Sequence, residues 1–202
     1  MRVLAIANQK GGVGKTTTAI NLGTALAAAG KGVLIFDTDP QGNASTGLDI
    51  HPHDRNVTSY DVLVGQLQLS KAVLPTKVPN LYITPGDARL SGVEGELMGE
   101  SQPQFFLRNA IEKFRVESTL GVDYMLIDCP PSLNVLTVNA LTAADGVLVP
   151  LQTEYFALEG LAQLIATINA VKVNLNPALD IQGVVLTMYD KRTTLSDQVA
   201  EE

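Results

Sequence analysis

The chain has 202 residues, 46% of them apolar and 17% charged, which is enough to bury a core and too little charge for a disordered chain. Its one cysteine, Cys129, excludes an internal disulfide framework, cannot by itself build a cysteine-rich zinc or iron–sulfur site, and suits a reducing cytosol. Fourteen Lys and Arg against 21 Asp and Glu leave a net charge of −7, so any contact with DNA has to come from a local basic patch. The apolar run at the N-terminus is too short for a secretory signal, and no segment approaches the roughly 20 consecutive apolar residues of a membrane span.

In chain order, β-branched runs predict strands at residues 3–7, 33–36, 81–84, 124–127, 147–149 and 181–186. Longer periodic stretches between them predict helices at 15–29, 88–98, 104–115, 135–143 and 154–174, with a last one from about 195. Gly30 stands where the first helix should stop. Near-continuous apolar strands alternating with helices indicate a doubly wound α/β fold, a mostly parallel sheet with helices on both faces. Residues 42–80 are irregular and read as an excursion from the sheet within one domain spanning 1–202. The final amphipathic helix begins and runs out with no stop signal, so C-terminal elements are expected to be missing.

The segment QKGGVGKTTT, residues 9–18, follows the first strand and opens the first helix, the context that a phosphate-binding loop requires. Glycines let backbone N–H groups converge on an anion, and the helix N-terminus adds a favourable dipole. Gly11, Gly12, Val13 and Gly14 would form the loop. Lys15 would bridge the β- and γ-phosphates of ATP, Thr16 would hold Mg²⁺, and Thr17 would donate to the α-phosphate. Gln9 occupies the first glycine position of the general pattern, and a second lysine, Lys10, directly precedes Gly11.

Two further segments place acids at strand ends, where ligands of open α/β sheets bind. FDTDPQGN, residues 36–43, carries Asp37 and Asp39. YMLIDCPPS, residues 124–132, ends an apolar strand in Asp128, a Walker B arrangement in which the acid holds Mg²⁺. Pro130 and Pro131 cannot continue a ladder and force a stiff exit from that strand. Cys129 reads as a small buried hydrophobe. His51 and His53 could make half of a metal site but read as solvated loop residues, with no cysteine nearby to support them.

The K-G-G-x-G-K-T form of the loop resembles the deviant Walker A motif of the ParA/MinD ATPases. The resemblance implies a nucleotide-sandwich homodimer in which Lys10 reaches the partner's phosphates, as an arginine finger does elsewhere. D-x-D-P-Q-x-N looks like the switch I segment of that family, which implies that Asp39 orients the attacking water and that Asp37 lies near the metal. NQKGGVGKTTTAINLG, DPQGNASTGL, IDCPPSLNVLTVNAL, LQTEYFALEGL and IQGVVLTMYDKRTTLSDQV together closely resemble the partition branch, ParA (Soj), over essentially the whole chain. That resemblance implies a P-loop ATPase of the cytoplasm and nucleoid. It also implies an ATP-dependent dimer on non-specific double-stranded DNA, a ParB-type partner that stimulates hydrolysis, and no membrane. Arg192, beside Lys191, matches a position that some relatives use for DNA. The alternatives are a MinD-like membrane-cycling regulator, which would need a basic amphipathic C-terminal helix, and a metabolic enzyme of ATP-dependent amidation or carboxylation.

Overall fold

The computed structural model describes residues 1–97, 99–154, 157–192 and 196, with residues 157–159 described by backbone only. The strands are β1 (Arg2–Ile6), β2 (Val33–Asp37), β3 (Leu74–Pro75), β4 (Leu81–Thr84), β5 (Tyr124–Asp128), β6 (Gly146–Gln152) and β7 (Ile181–Thr187). They form one sheet in the order β3-β4-β2-β5-β1-β6-β7. Every described pairing is parallel except that of β3 with β4. The helices are α1 (Lys15–Ala28), α2 (Asn43–Gly47), α3 (Ser59–Leu63), α4 (Val93–Leu97), α5 (Phe106–Glu117), α6 (Val135–Ala143) and α7 (Ala157–Asn174).

Because side chains alternate along a strand, β2 and β5 feed two separate cores. Leu34, Phe36, Met125 and Ile127 pack with residues of α5, α6 and α7, while Val33, Ile35 and Leu126 pack with those of α1. Helix α1 lies very close to the sheet. A methyl at Gly23 would sit 3.1 Å from Ile35 Cδ1 and 3.3 Å from Leu81 Cδ1, so an alanine there would make both side chains give by a few tenths of an ångström.

The doubly wound architecture agrees with the sequence pattern, with local departures that have physical causes. The helix expected over 88–98 divides into a 3₁₀ turn, Ala88–Gly92, and the short α4, because Gly92 and Gly95 lower helical propensity. The excursion over 42–80 contains α2, α3, two 3₁₀ turns and the two-residue β3, whose Pro75 is tolerated because β3 is an edge strand. Helix α7 is described over Ala157–Asn174, residues 155–156 of the helix expected over 154–174 lie outside the described residues, and so does the helix expected from about 195 apart from Ser196.

The register positions the chemistry. Ile6 pairs with Asp128 and Asp37 also pairs with Asp128, so the ends of β1, β2 and β5 lie side by side. The loop after β1 and the acids ending β2 and β5 therefore meet at one edge of the sheet.

Candidate functional site

The loop between β1 and α1 is held from both sides. Asn8 Nδ2 donates to Pro150 O at 2.7 Å, and Asn8 Oδ1 accepts from Lys10 N at 3.0 Å. At its far end Thr187 Oγ1 donates to Val13 O at 2.8 Å, tying β7 to the loop. Gly12 and Gly14 have φ of +77° and +87°, the left-handed region that disfavours side chains, and a Cβ on Gly14 would also press on the Thr187 methyl at 3.4 Å. The left-handed Gly14 immediately precedes α1, which leaves the first N–H groups of the helix without a side-chain cap and available to an anion.

Lys15, only 7% exposed, donates through Nζ to Lys10 O at 2.8 Å. Burial lowers its pKa, and the nearby Asp128 is the strongest opposing influence. Lys10 is half-exposed and forms an ion pair with Glu154 just beyond β6. An open cavity of about 540 Å³ is lined by Gly11, Gly12, Gly14, Lys15, Thr16 and Thr17 together with Asp39, Pro131 and Met188.

The three carboxylates differ in what they hold. Asp37 is fully buried, and its oxygens are engaged: Oδ2 accepts from Ser45 N at 3.0 Å and Ser45 Oγ at 2.6 Å, and Oδ1 accepts from Asp39 N at 3.1 Å. Asp39 lines the cavity, and its Oδ1 accepts from Gln41 N at 2.9 Å. Asp128 is fully buried, yet neither of its oxygens completes a hydrogen bond. Two orphaned, water-excluded carboxylate oxygens beside a threonine at a helix N-terminus suit a hard cation, so Asp128 and Thr16 fit Mg²⁺.

Other candidates lie apart from this cavity. His51 Nε2 lies 3.0 Å from Asp49 Oδ1, and its ring stacks on His53. No group of three or more His, Cys, Asp or Glu among the described residues is arranged to hold a metal. Cys129 is buried, and burial pushes its thiol well above its usual pKa, so it is inert. Arg192 is 87% exposed and paired with Asp190 at 2.6 Å. Sequence reasoning missed Ser45, Arg55, Glu154 and Thr187, all of which act on the loop or its acids through distant partners.

The AAA domain profile matches residues 1–181. A chromosome partitioning protein ParA from Caulobacter vibrioides is 61% identical over all 202 residues, which cover 75% of that protein. The chain belongs to the ParA/Soj family of chromosome-partitioning ATPases. The sporulation initiation inhibitor protein Soj of Bacillus subtilis is 49% identical over 201 residues, covering 100% of this ParA-family chain and 78% of Soj. Among solved structures, cobyrinic acid a,c-diamide synthase from Mycobacterium smegmatis with bound ADP and magnesium superposes with a TM-score of 0.92 at 40% identity, covering 100% of this chain and 80% of that one. A plasmid partition protein from Borrelia burgdorferi gives 0.83 at 25% identity, covering 99% and 83%.

In this ParA-family chain, burial pushes the Asp128 carboxyl up to about 8, and the neighbouring charge of Asp37 adds to the effect. Thr16, Asp39 and Lys15 contribute less, with Thr16 and Lys15 pulling downward. An unfolded aspartate titrates near ~3.9. The folded state thus holds this proton more tightly, and the group favours folding at acid pH and loses that contribution as pH rises from about 4 to about 8. Metal-free protein should therefore melt lower at pH 8 than at pH 6. Asp128→Asn should flatten that slope and raise the melting temperature at pH 8, by roughly 2–4 °C for each kcal/mol relieved. Calorimetry across this range is the check, and an identical slope in the variant would place the titration elsewhere.

Proposed function

We propose that the chain binds ATP with Mg²⁺ in this cradle and cycles between a monomer and an ATP-bound homodimer that holds DNA without sequence preference. A ParB-type partner stimulates hydrolysis and releases the DNA, and the cycle takes place in the cytoplasm on the nucleoid. The observation that carries this reading is the pair of lysines on one glycine loop. Lys15 is buried in the cradle, whereas Lys10 is half-exposed at the rim and held by Glu154.

Each residue then has a defined task. The N–H groups of residues 11–17 and the Lys15 ammonium bind and orient the phosphates. Thr16 and Asp128 hold the metal, and bound Mg²⁺ supplies positive charge that offsets charge developing on the phosphate oxygens. Asp39 orients the attacking water, Pro131 and Met188 line the same cavity, and Asp37 holds the segment that carries Asp39. Lys10 leaves Glu154 to reach the phosphates of a second subunit.

Light scattering tests the assembly: the protein should be dimeric with ATP and Mg²⁺ and monomeric with ADP, and a monomer under both conditions would overturn the sandwich. DNA retention tests the surface. Arg192 is exposed and can exchange Asp190 for a phosphate, so Arg192→Glu should weaken DNA binding and reduce its salt dependence while leaving basal hydrolysis unchanged. An equal loss of both activities would mean that Arg192 supports the fold and not the DNA.

The name of the Mycobacterium smegmatis structure favours a second reading, ATP-dependent amidation of a corrinoid acid. Phosphate release that depends on cobyrinic acid and not on DNA would select it.

A further inference from the structure

Arg55 lies in the irregular excursion between α2 and α3, and its guanidinium binds the chain at three separate places. Nε and Nη2 donate to Ile50 O at 3.1 and 2.9 Å. Nη2 also reaches Gly42 O at 3.1 Å and Thr46 Oγ1 at 2.7 Å, and Nη1 donates to Gly86 O at 2.9 Å. Among the described residues no carboxylate lies within ion-pair distance of it. A half-buried cation held only by carbonyl and hydroxyl oxygens, with no counter-charge, is a costly device merely to close a loop. Its planar fork of five donors does what no neutral side chain could: it binds divergent acceptors simultaneously.

Two of those acceptor residues, Gly42 and Gly86, touch Asp39. Gly42 N donates to Asp39 O at 2.9 Å, closing the turn that follows the acid. Gly42 is left-handed, with φ of +60°, and the guanidinium occupies the space where its Cβ would be. Gly86 is bound on both sides, its C=O by Arg55 and its N–H by Ser45 Oγ at 3.0 Å. It also presses against both acids, since a Cβ there would lie 2.8 Å from Asp39 O and 3.0 Å from both Asp37 Cγ and Asp37 O. The guanidinium therefore joins the turn after Asp39 to the strand-end segment behind it.

We propose that Arg55 is a positioning residue for hydrolysis, fixing the Asp39 turn against Gly86 so that the Asp39 carboxylate keeps its place in the cavity. This rests on the reading of Asp39 as the water-orienting group. The phosphate loop lies outside the clamp, so turnover and nucleotide affinity should separate. Misplacement of a catalytic group by about 1 Å costs on the order of a hundredfold.

The test compares Arg55→Ala, Arg55→Lys and Asp39→Ala by single-turnover hydrolysis and by ATP affinity in the presence of Mg²⁺. Arg55→Ala should lose about ten- to a hundredfold in hydrolysis rate while binding ATP within about twofold of wild type. Millimolar guanidinium chloride, but not equal sodium chloride, should restore part of the lost rate. Arg55→Lys should stay slow, since one ammonium cannot span Ile50, Gly42 and Gly86. Wild-type turnover in Arg55→Ala would overturn the proposal, as would a parallel loss of rate and affinity that guanidinium does not repair. If Arg55→Ala fails to fold, Arg55→Lys decides the matter by the same separation of rate from affinity. Full hydrolysis in Asp39→Ala would instead remove the reading on which the proposal rests. An inactive Asp39→Ala beside a normal Arg55→Ala would remove only the proposal.

Discussion

Lys15→Ala should weaken ATP binding by roughly thirtyfold or more while leaving the fold intact. In the described structure Lys15 Nζ makes one hydrogen bond, to Lys10 O, so the chain relies on it little when no phosphate is present. Burial already disfavours its charge, and removing a desolvated cation relieves that penalty. With a triphosphate in the cradle the balance reverses. The ammonium then faces several anionic oxygens in a site partly closed to water, and truncating one partner of such a buried charged contact costs about 2–5 kcal/mol or more. That is a loss of roughly thirtyfold to several thousandfold in affinity. Titration calorimetry with Mg²⁺ and ATP measures it, and a circular dichroism melt checks the fold. Unchanged affinity would mean that the glycine loop is not the phosphate site. Lys15→Arg is not a safe control, because a planar guanidinium is bulkier and holds its charge differently at a buried position.

What could be read in the sequence was whatever is contiguous or ends an apolar strand. Residues 11–17 carry their own geometry, because positive-φ glycines and the helix start follow one another directly, and Asp37 and Asp128 end two neighbouring strands. The supports of the site were hidden because their partners are far away in the chain. Thr187 binds Val13 across 174 positions, and Arg55 gathers acceptors from 5, 13 and 31 positions away. Neither contact leaves any periodicity behind. Asp37 shows the same limit. Its position at a strand end is legible, but the hydrogen bonds that occupy its Oδ2 come from Ser45, which only the fold of the excursion brings round. The helix expected over 88–98 follows its apolar spacing and starts at the Asp87 cap, but two glycines break it into shorter pieces.

Asp39→Ala should retain ATP and slow hydrolysis by about 10²–10⁴-fold, the contribution expected of a positioned group that handles the proton of the attacking water. The affinity should survive because, on the proposed reading, the phosphate contacts would come from the loop and the start of α1 and not from the turn after β2. Alanine has one side effect: Asp39 Oδ1 accepts from Gln41 N, so truncation also frees the turn. Asp39→Asn separates the two roles, since its amide oxygen can still accept from Gln41 N while its charge is gone. If the carboxylate acts on water, both variants should be slow and both should accumulate as ATP-bound dimers in light scattering. If Asp39 serves only to shape the turn, Asp39→Asn should hydrolyse like wild type and only alanine should fail. Wild-type turnover in both would take Asp39 out of the mechanism.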